Sequence, residues 1–214
     1  MKTILITGAA GFIGRHLVQR VLETTDWRIL AIDSLSYAAD TDKLFNNPSY
    51  DRNRVKILWH DFRAPITDEI RKTIGYVDYI VNVASDSHVD RSIKNPAPFF
   101  LNNTALIANV LEMARAVSPE KFIQISTDEV FGPAPKGYAH KEWDVHIPSN
   151  PYSASKSAQE ALSIAYWRTF GVPLIITNTM NNFGEGQHEE KFIPLVIRNL
   201  LLGKSVNIHG QFDG

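Results

Sequence analysis

Two short stretches of this chain hold residue types that can move protons. The first is Pro151-Tyr152-Ser153-Ala154-Ser155-Lys156. On a helix, residues four apart share a face, so the Tyr152 phenol and the Lys156 ammonium are expected side by side. A nearby cation favours phenolate, which lowers the tyrosine toward working pH and makes it a general base. By residue frequencies alone, Tyr-x-x-x-Lys arises roughly 0.4 times in a chain this long, so the pair gains meaning only from where it sits. The second stretch is Ser126-Thr127-Asp128-Glu129. Two adjacent carboxylates beside a hydroxyl can supply a general acid and a general base, because close like charges split their proton affinities. The plain alternative is a helix cap or a solvated acidic turn.

A third motif suits phosphate. Thr7-Gly8-Ala9-Ala10-Gly11-Phe12-Ile13-Gly14 follows an apolar run and opens a helical pattern. Gly8, Gly11 and Gly14 let the backbone turn tightly and approach a pyrophosphate. The helix that begins at Phe12 and Ile13 offers unused N–H groups and the positive end of its dipole. Asp33 ends the second apolar run, 19 residues after Gly14. A carboxylate there can take both ribose hydroxyls of an adenosine and repel a 2′-phosphate, and no Lys or Arg follows until Lys43. These features favour NAD over NADP. Asp61 follows the third run and reads on its own as a turn residue.

These residues need a frame. Apolar runs at Thr3–Thr7, Arg28–Asp33, Val55–Trp59, Tyr79–Ala84, Lys121–Ser126 and Pro173–Asn178 predict strands. Helical patterns near Phe12–Glu23, Asp68–Ile74, Pro98–Ala116, Tyr152–Thr169 and Phe192–Leu202 alternate with them. Such alternation implies an α/β fold, a Rossmann-type doubly wound parallel sheet covered on both faces. The polar stretch Ser34–Asn53 is too long for an ordinary connection and predicts a functional loop or a short extra helix. Ser205–His209 reads as a further strand. As the family resemblance given below implies, the expected division is an NAD-binding domain over 1–180 that carries the catalytic residues, then the start of a substrate region over 181–214, with most of a C-terminal substrate domain missing.

Composition excludes several classes. The chain has 22 Lys plus Arg against 23 Asp plus Glu, so no basic excess points to nucleic acid or an anionic membrane. It has no cysteine, which removes disulfides, thiol nucleophiles and Cys-ligated metals. No apolar run approaches a membrane span, and the first residues are too short and too glycine-interrupted for a signal peptide.

Taken together, the glycine motif, Asp33, Tyr152 and Lys156 resemble the extended short-chain dehydrogenase/reductase family. Within it the chain is similar to the NAD-dependent epimerase/dehydratase group, and most of all to its nucleotide-sugar 4,6-dehydratases. Three stretches carry that finer resemblance: Ser126–Gly132, Ser87–Ile93, and Thr177–Gly184 followed by Glu190–Pro194. It implies NAD as cofactor and a nucleotide-diphosphate hexose as substrate, in a cytoplasmic homodimer.

The resemblance also implies roles. Tyr152 takes the proton from the sugar O4 as C4 gives up hydride, Lys156 holds the ribose, and Thr127 bonds near O4. Glu129 then removes the C5 proton, and Asp128 protonates the C6 hydroxyl that leaves as water. Ser87, Asn181, Lys191 and Phe192 match substrate-contacting positions; Asn102, Asn182 and Asp61 match positions near NAD. The dimer would form through the helices at Pro98–Ala116 and Tyr152–Thr169, where Ala158, Ala161, Leu162 and Ala165 make a small-residue face. Departures from the family pattern are Ser85, Asp86, Phe131 and His209. Competing readings are a 4-epimerase or decarboxylase on the same scaffold, an NAD-binding module without turnover, and a plain dehydrogenase.

Overall fold

The computed structural model describes residues 1–206. Its elements alternate as expected: β1 (Thr3–Thr7), α1 (Phe12–Thr24), β2 (Arg28–Asp33), α2 (Thr41–Phe45), β3 (Val55–Trp59), α3 (Asp68–Ile74), β4 (Tyr79–Asn82), α4 (Val89–Lys94), α5 (Pro96–Val117), β5 (Lys121–Thr127), α6 (Pro151–Phe170), β6 (Leu174–Thr179) and α7 (Phe192–Leu201). The six strands form one sheet in the order β3-β2-β1-β4-β5-β6. All its pairings are parallel, with Ile4 beside both Ile29 and Tyr79, and Ile125 beside Thr177. The chain leaves β1 toward one edge and returns at β4 to build toward the other. The switch point at the carboxyl ends of β1 and β4 is where such sheets hold ligands.

The period of two along each strand sorts the core into two layers. Leu5, Leu30, Ile32, Ile80 and Phe122 pack under α3 and α5 through Ile74, Ile107, Val110 and Leu111. On the opposite face, Ile4, Ile6, Ile29, Ala31 and Val81 pack under α1 and α2 through Val18, Val21, Leu22 and Leu44. The chain divides into two compact units, Met1–Asn181 and Asn182–Gly214. Among the described residues no helix is long and apolar enough to cross a membrane.

Element ends differ from the expectation for identifiable reasons. β4 stops at Asn82 rather than Ala84, because Thr7 Oγ1 accepts the N–H groups of Val83 and Ala84 at 3.1 Å and draws them out of the ladder. The long polar segment does hold an extra helix, α2, capped by Asp40, whose side chain accepts from the Lys43 N–H at 2.9 Å. The short α4 was not expected; His88 caps it, and Asn95 alone separates it from α5, which Pro96 opens. The strand expected at Ser205–His209 and the departure at His209 fall largely or wholly outside the described residues.

Candidate active site

The glycine turn is built by close backbone approach. Gly8 has φ of 66°, and the Gly11 N–H donates to the Gly8 carbonyl at 3.1 Å. A Cβ at Gly14 would lie 2.0 Å from that same carbonyl oxygen, and one at Gly8 would lie 3.0 Å from the backbone of Ala84. Both positions therefore need glycine for the turn to close. Gly11 caps α1 without any side-chain bond, and the first helical N–H in use is that of Arg15, to the Gly11 carbonyl. The N–H groups of Phe12, Ile13 and Gly14 thus stand at the open end of the helix, as a pyrophosphate requires. These features fit a dinucleotide. Asp33 ties β2 to this turn: its Oδ2 accepts from the Ala10 N–H at 2.9 Å and its Oδ1 from the Leu35 N–H at 2.8 Å. Each carboxylate oxygen keeps further acceptor capacity, enough for ribose hydroxyls.

Asp61 and Asn102, expected near the cofactor, differ in their surroundings. Asp61 closes its own turn on Arg63, accepting the backbone N–H at 2.9 Å and a bidentate guanidinium. That hydrogen-bonded guanidinium holds the Asp61 carboxyl below the usual carboxylate range. Asn102 sits half-buried on α5, whereas its neighbour Asn103 is buried in a polar clasp. Asn103 Oδ1 accepts the Asp86 N–H at 2.8 Å, and its Nδ2 donates to the Asp86 carbonyl at 3.0 Å and to Ser155 Oγ at 2.9 Å. Helical spacing was the available signal, since Asn103 lies four residues from each of the buried Phe99 and Ile107.

The proton-moving residues gather at the carboxyl end of β5. Asn150 starts α6 with a capping box: its side chain accepts from the Ser153 N–H, and Ser153 Oγ accepts from the Asn150 N–H. Pro151 takes the first helical position. This fixes Tyr152, whose N–H donates to Ser92 Oγ at 3.2 Å and whose ring meets Phe99 edge to face. Asp128–Phe131 forms a short 3-10 turn capped by Thr127, whose Oγ1 accepts the Glu129 N–H at 3.3 Å and lies the same distance from Asp128 Oδ1. Asn150 Nδ2 donates to Glu129 Oε2 at 3.2 Å. The Tyr152 phenol is hydrogen-bonded to Thr127 and feels both carboxylates. Thr127, Asp128, Glu129 and Tyr152 thus form one cluster.

One expectation is overturned. The Tyr152 phenol is not lowered: burial first, then the charge of Glu129, push it up to about 12, against the opposing pull of the Thr127 hydrogen bond. Lys156 is not among the groups that set it, because its amine is turned into the polar interior. Lys156 Nζ donates to the Ile125 carbonyl and to Gln159 Oε1, both at 2.7 Å. Complete burial brings this amine down to about 8, with Glu160 acting the other way.

Behind the cluster lies a polar group that the sequence reading did not identify. The buried carboxylate of Glu160 accepts from Ser126 Oγ and, at 2.7 Å, from Asn178 Nδ2, and its other oxygen is 3.5 Å from His146 Nε2. His146 also bonds Ser157 Oγ at 2.8 Å. This joins the ends of β5 and β6 to α6. Ser87 and Asn181 are exposed in the first unit. Asn182, Lys191 and Phe192 belong to the second. There the Asn182 carbonyl accepts from Gln187 Nε2 at 2.9 Å, and Lys191 and Phe192 open α7.

Fold and site together define a doubly wound α/β dinucleotide-binding protein with a Tyr–Lys helix and an acidic turn. Residues 4–214 match the NAD dependent epimerase/dehydratase family, and the chain belongs to it. NAD is accordingly the cofactor, as the glycine turn and Asp33 implied. The chain is 38% identical over 224 residues to a dTDP-glucose 4,6-dehydratase of Haemophilus influenzae, covering 99% of this chain and 65% of that protein. DesIV, a dTDP-glucose 4,6-dehydratase of Streptomyces venezuelae solved with NAD and TYD bound, superposes with a TM-score of 0.89 at 34% identity, over 98% of this chain and 65% of that one. A UDP-glucuronic acid 4-epimerase of Bacillus cereus, solved with UDP-glucuronic acid and NAD, gives 0.87 at 28% identity, over 98% of this chain and 66% of that one. The chain therefore spans about two thirds of the length of these relatives.

Proposed function

We propose that this chain is the NAD-binding and catalytic part of a cytoplasmic nucleotide-sugar 4,6-dehydratase. Its substrate is dTDP-glucose or a close nucleotide-diphosphate hexose, and its product the 4-keto-6-deoxy sugar. One observation carries the reading over the 4-epimerase alternative: two adjacent, half-buried carboxylates, Asp128 and Glu129, stand in the same cluster as the Tyr152 phenol. Epimerisation at C4 needs a single acid–base group at O4. Elimination of water across C5 and C6 needs a base and an acid more.

NAD would be held by Gly8–Gly14 and Asp33, and when bound it would supply the acceptor for the C4 hydride and give that hydride back at C6 once water has left, with C5 regaining a proton. The chain's own residues handle the protons. Tyr152, hydrogen-bonded to Thr127, takes the O4 proton as its phenolate, so the loaded site has to bring that phenol down from about 12 toward working pH. Glu129, held by Asn150, takes the C5 proton once a ketone at C4 has acidified it. Asp128 gives a proton to the departing C6 hydroxyl, since hydroxide leaves poorly without an acid. Ser87, Asn181, Lys191 and Phe192 belong to the sugar-nucleotide side of the reading, with residues from 181 onward beginning the substrate region. Incubated with NAD and dTDP-glucose in deuterated water, the chain should yield a 4-keto-6-deoxy sugar carrying deuterium at C5, with no net NADH. A C4 epimer without deuterium would make it an epimerase, accumulating NADH a plain dehydrogenase, and NAD binding without turnover a binding module.

The same reading makes the protein a homodimer through α5 and α6. Leu101, Ala161, Ile164 and Ala165 lie exposed on these helices, whereas Leu162 packs inward against the core. Light scattering should give twice the 24.1 kDa chain mass, and Ala161→Glu with Ala165→Glu should return it to monomer. A wild-type monomer at high concentration would remove the dimer from the proposal.

A further inference from the structure

A chain of fully buried amides runs beneath the sheet's carboxyl ends, from the glycine turn to Lys156. It begins at Thr7, the residue before Gly8, whose Oγ1 accepts the Val83 and Ala84 N–H groups and donates to Asn82 Oδ1 at 2.6 Å. Asn82 Nδ2 donates to Gln124 Oε1 at 2.8 Å, and Gln124 Nε2 to Gln159 Oε1 at 3.1 Å. Gln159 Oε1 also accepts from Lys156 Nζ, while Gln159 Nε2 is spent on the Asn103 carbonyl at 3.1 Å. Thr7, Asn82, Gln124 and Gln159 are completely shielded from solvent.

The polarity of this chain is fixed at its first link. With both upstream N–H donors spent on its lone pairs, the Thr7 hydroxyl hydrogen must go to Asn82, which makes that contact an acceptor and commits the Asn82 amide nitrogen to Gln124. The same logic passes to Gln159 and leaves an oxygen, not an amide NH₂, against the lysine. Flipping any one amide would set donor against donor in a low-dielectric interior, which is costly.

We infer that Gln159 is a positioning residue for Lys156, and that Asn82 and Gln124 act through it to link the dinucleotide turn to the lysine. The inference rests on the reading of Lys156 as the lysine of the site. Of the charged and titratable groups nearby, Glu160, one turn along α6, bears on the lysine, whereas Tyr152, Asp128 and Glu129 bear on one another near the start of that helix. None of these belongs to the amide chain, so its effect can be measured separately from theirs.

The test is the titration of the Lys156 ammonium by ¹⁵N NMR on lysine-labelled protein, with Lys156→Met used for assignment. A hydrogen bond to a charged group is typically worth enough to move proton affinity about tenfold, so Gln159→Met should lower the midpoint by about one pH unit. Gln124→Met leaves both atoms that touch Lys156 Nζ in place and removes the amide donor that shares both of them, so it should move the midpoint upward, by a smaller amount. Gln159→Glu, which keeps the shape, should raise it, and stands in if the methionine variant does not fold. The midpoint should also shift when NAD is added to wild type and shift less in Gln124→Met. An unmoved midpoint in Gln159→Met and Gln159→Glu would overturn the inference. A shift in the Gln159 variants with none in Gln124→Met would overturn the link to the turn. Failure of wild type to bind NAD would instead strike the proposed function, and leaves the ligand-free titrations intact.

Discussion

Tyr152→Phe is expected to cut formation of the 4-keto sugar by about 10²–10⁴-fold, because hydride cannot leave C4 unless O4 gives up its proton. Glu129→Gln and Asp128→Asn should each cost a similar factor, but at different steps. Glu129→Gln should still exchange hydride at C4 and fail to incorporate deuterium at C5. Asp128→Asn should incorporate deuterium and stall before loss of the C6 hydroxyl. These substitutions suit the local geometry. A glutamine oxygen can still accept from Asn150 Nδ2, and an asparagine oxygen from Thr127 Oγ1, so the 3-10 turn should hold. Glu129→Gln has a second readout. Its charge is the largest influence after burial that raises the Tyr152 phenol, so removing it should bring that phenol down from about 12. Wild-type turnover in both carboxylate variants would reduce Asp128 and Glu129 to turn residues and end the dehydratase assignment.

The frame of this protein was legible because its strands are short apolar runs and its turns carry glycine. β1, β2, β3 and α3 have the residue bounds that the pattern predicts. The glycine motif was legible for the same reason, since Gly14 is required by a clash that any side chain would create. What the pattern missed is polar and buried. The buried residues of α6 are Ser153, Ser155, Lys156, Gln159, Glu160 and Ser163, with no apolar side chain among them. A search for apolar spacing at period 3.6 is blind to such a stripe. Hence Tyr152 and Lys156 were found by motif while their partners Gln159 and Glu160 were not. Sharing a helix face with the phenol did not decide where the lysine's hydrogen bonds go. Residues four apart share a face, but the lysine side chain is long enough to choose a different partner, and the Ile125 carbonyl and Gln159 offered fixed acceptors. The buried Asn103 beside Asn102 went unnamed because motif matching fixes a neighbourhood, whereas helical phase decides which of two adjacent asparagines is buried.

Burying Lys156 so completely has a thermodynamic consequence that can be isolated. The native amine titrates at about 8 against 10.5 for a free lysine. Between these values the unfolded chain holds the proton and the native protein does not, so this group makes stability rise with pH across that window. Below about pH 8 the native state carries the full cost of a charged, buried amine, on the order of 3 kcal/mol. Lys156→Met removes the charge and keeps most of the volume. Its two acceptors would not be orphaned, because the Ile125 carbonyl and Gln159 Oε1 also accept from Gln124 Nε2, at 3.0 and 3.1 Å. The variant should therefore be more stable than wild type at pH 7, by up to about 3 kcal/mol, with the advantage shrinking as pH rises from 8 toward 10.5. Tyr152 acts oppositely and higher, raised to about 12, but it is present in both proteins and cancels in the comparison. Urea unfolding of the pair at pH 7, 9 and 10 measures this directly. An offset that does not change with pH, or a variant less stable at pH 7, would show that Lys156 is not held as a strained charge. If the offset closes as expected while the variant loses turnover, then the lysine is kept at the expense of stability, which is the mark of a residue retained for chemistry.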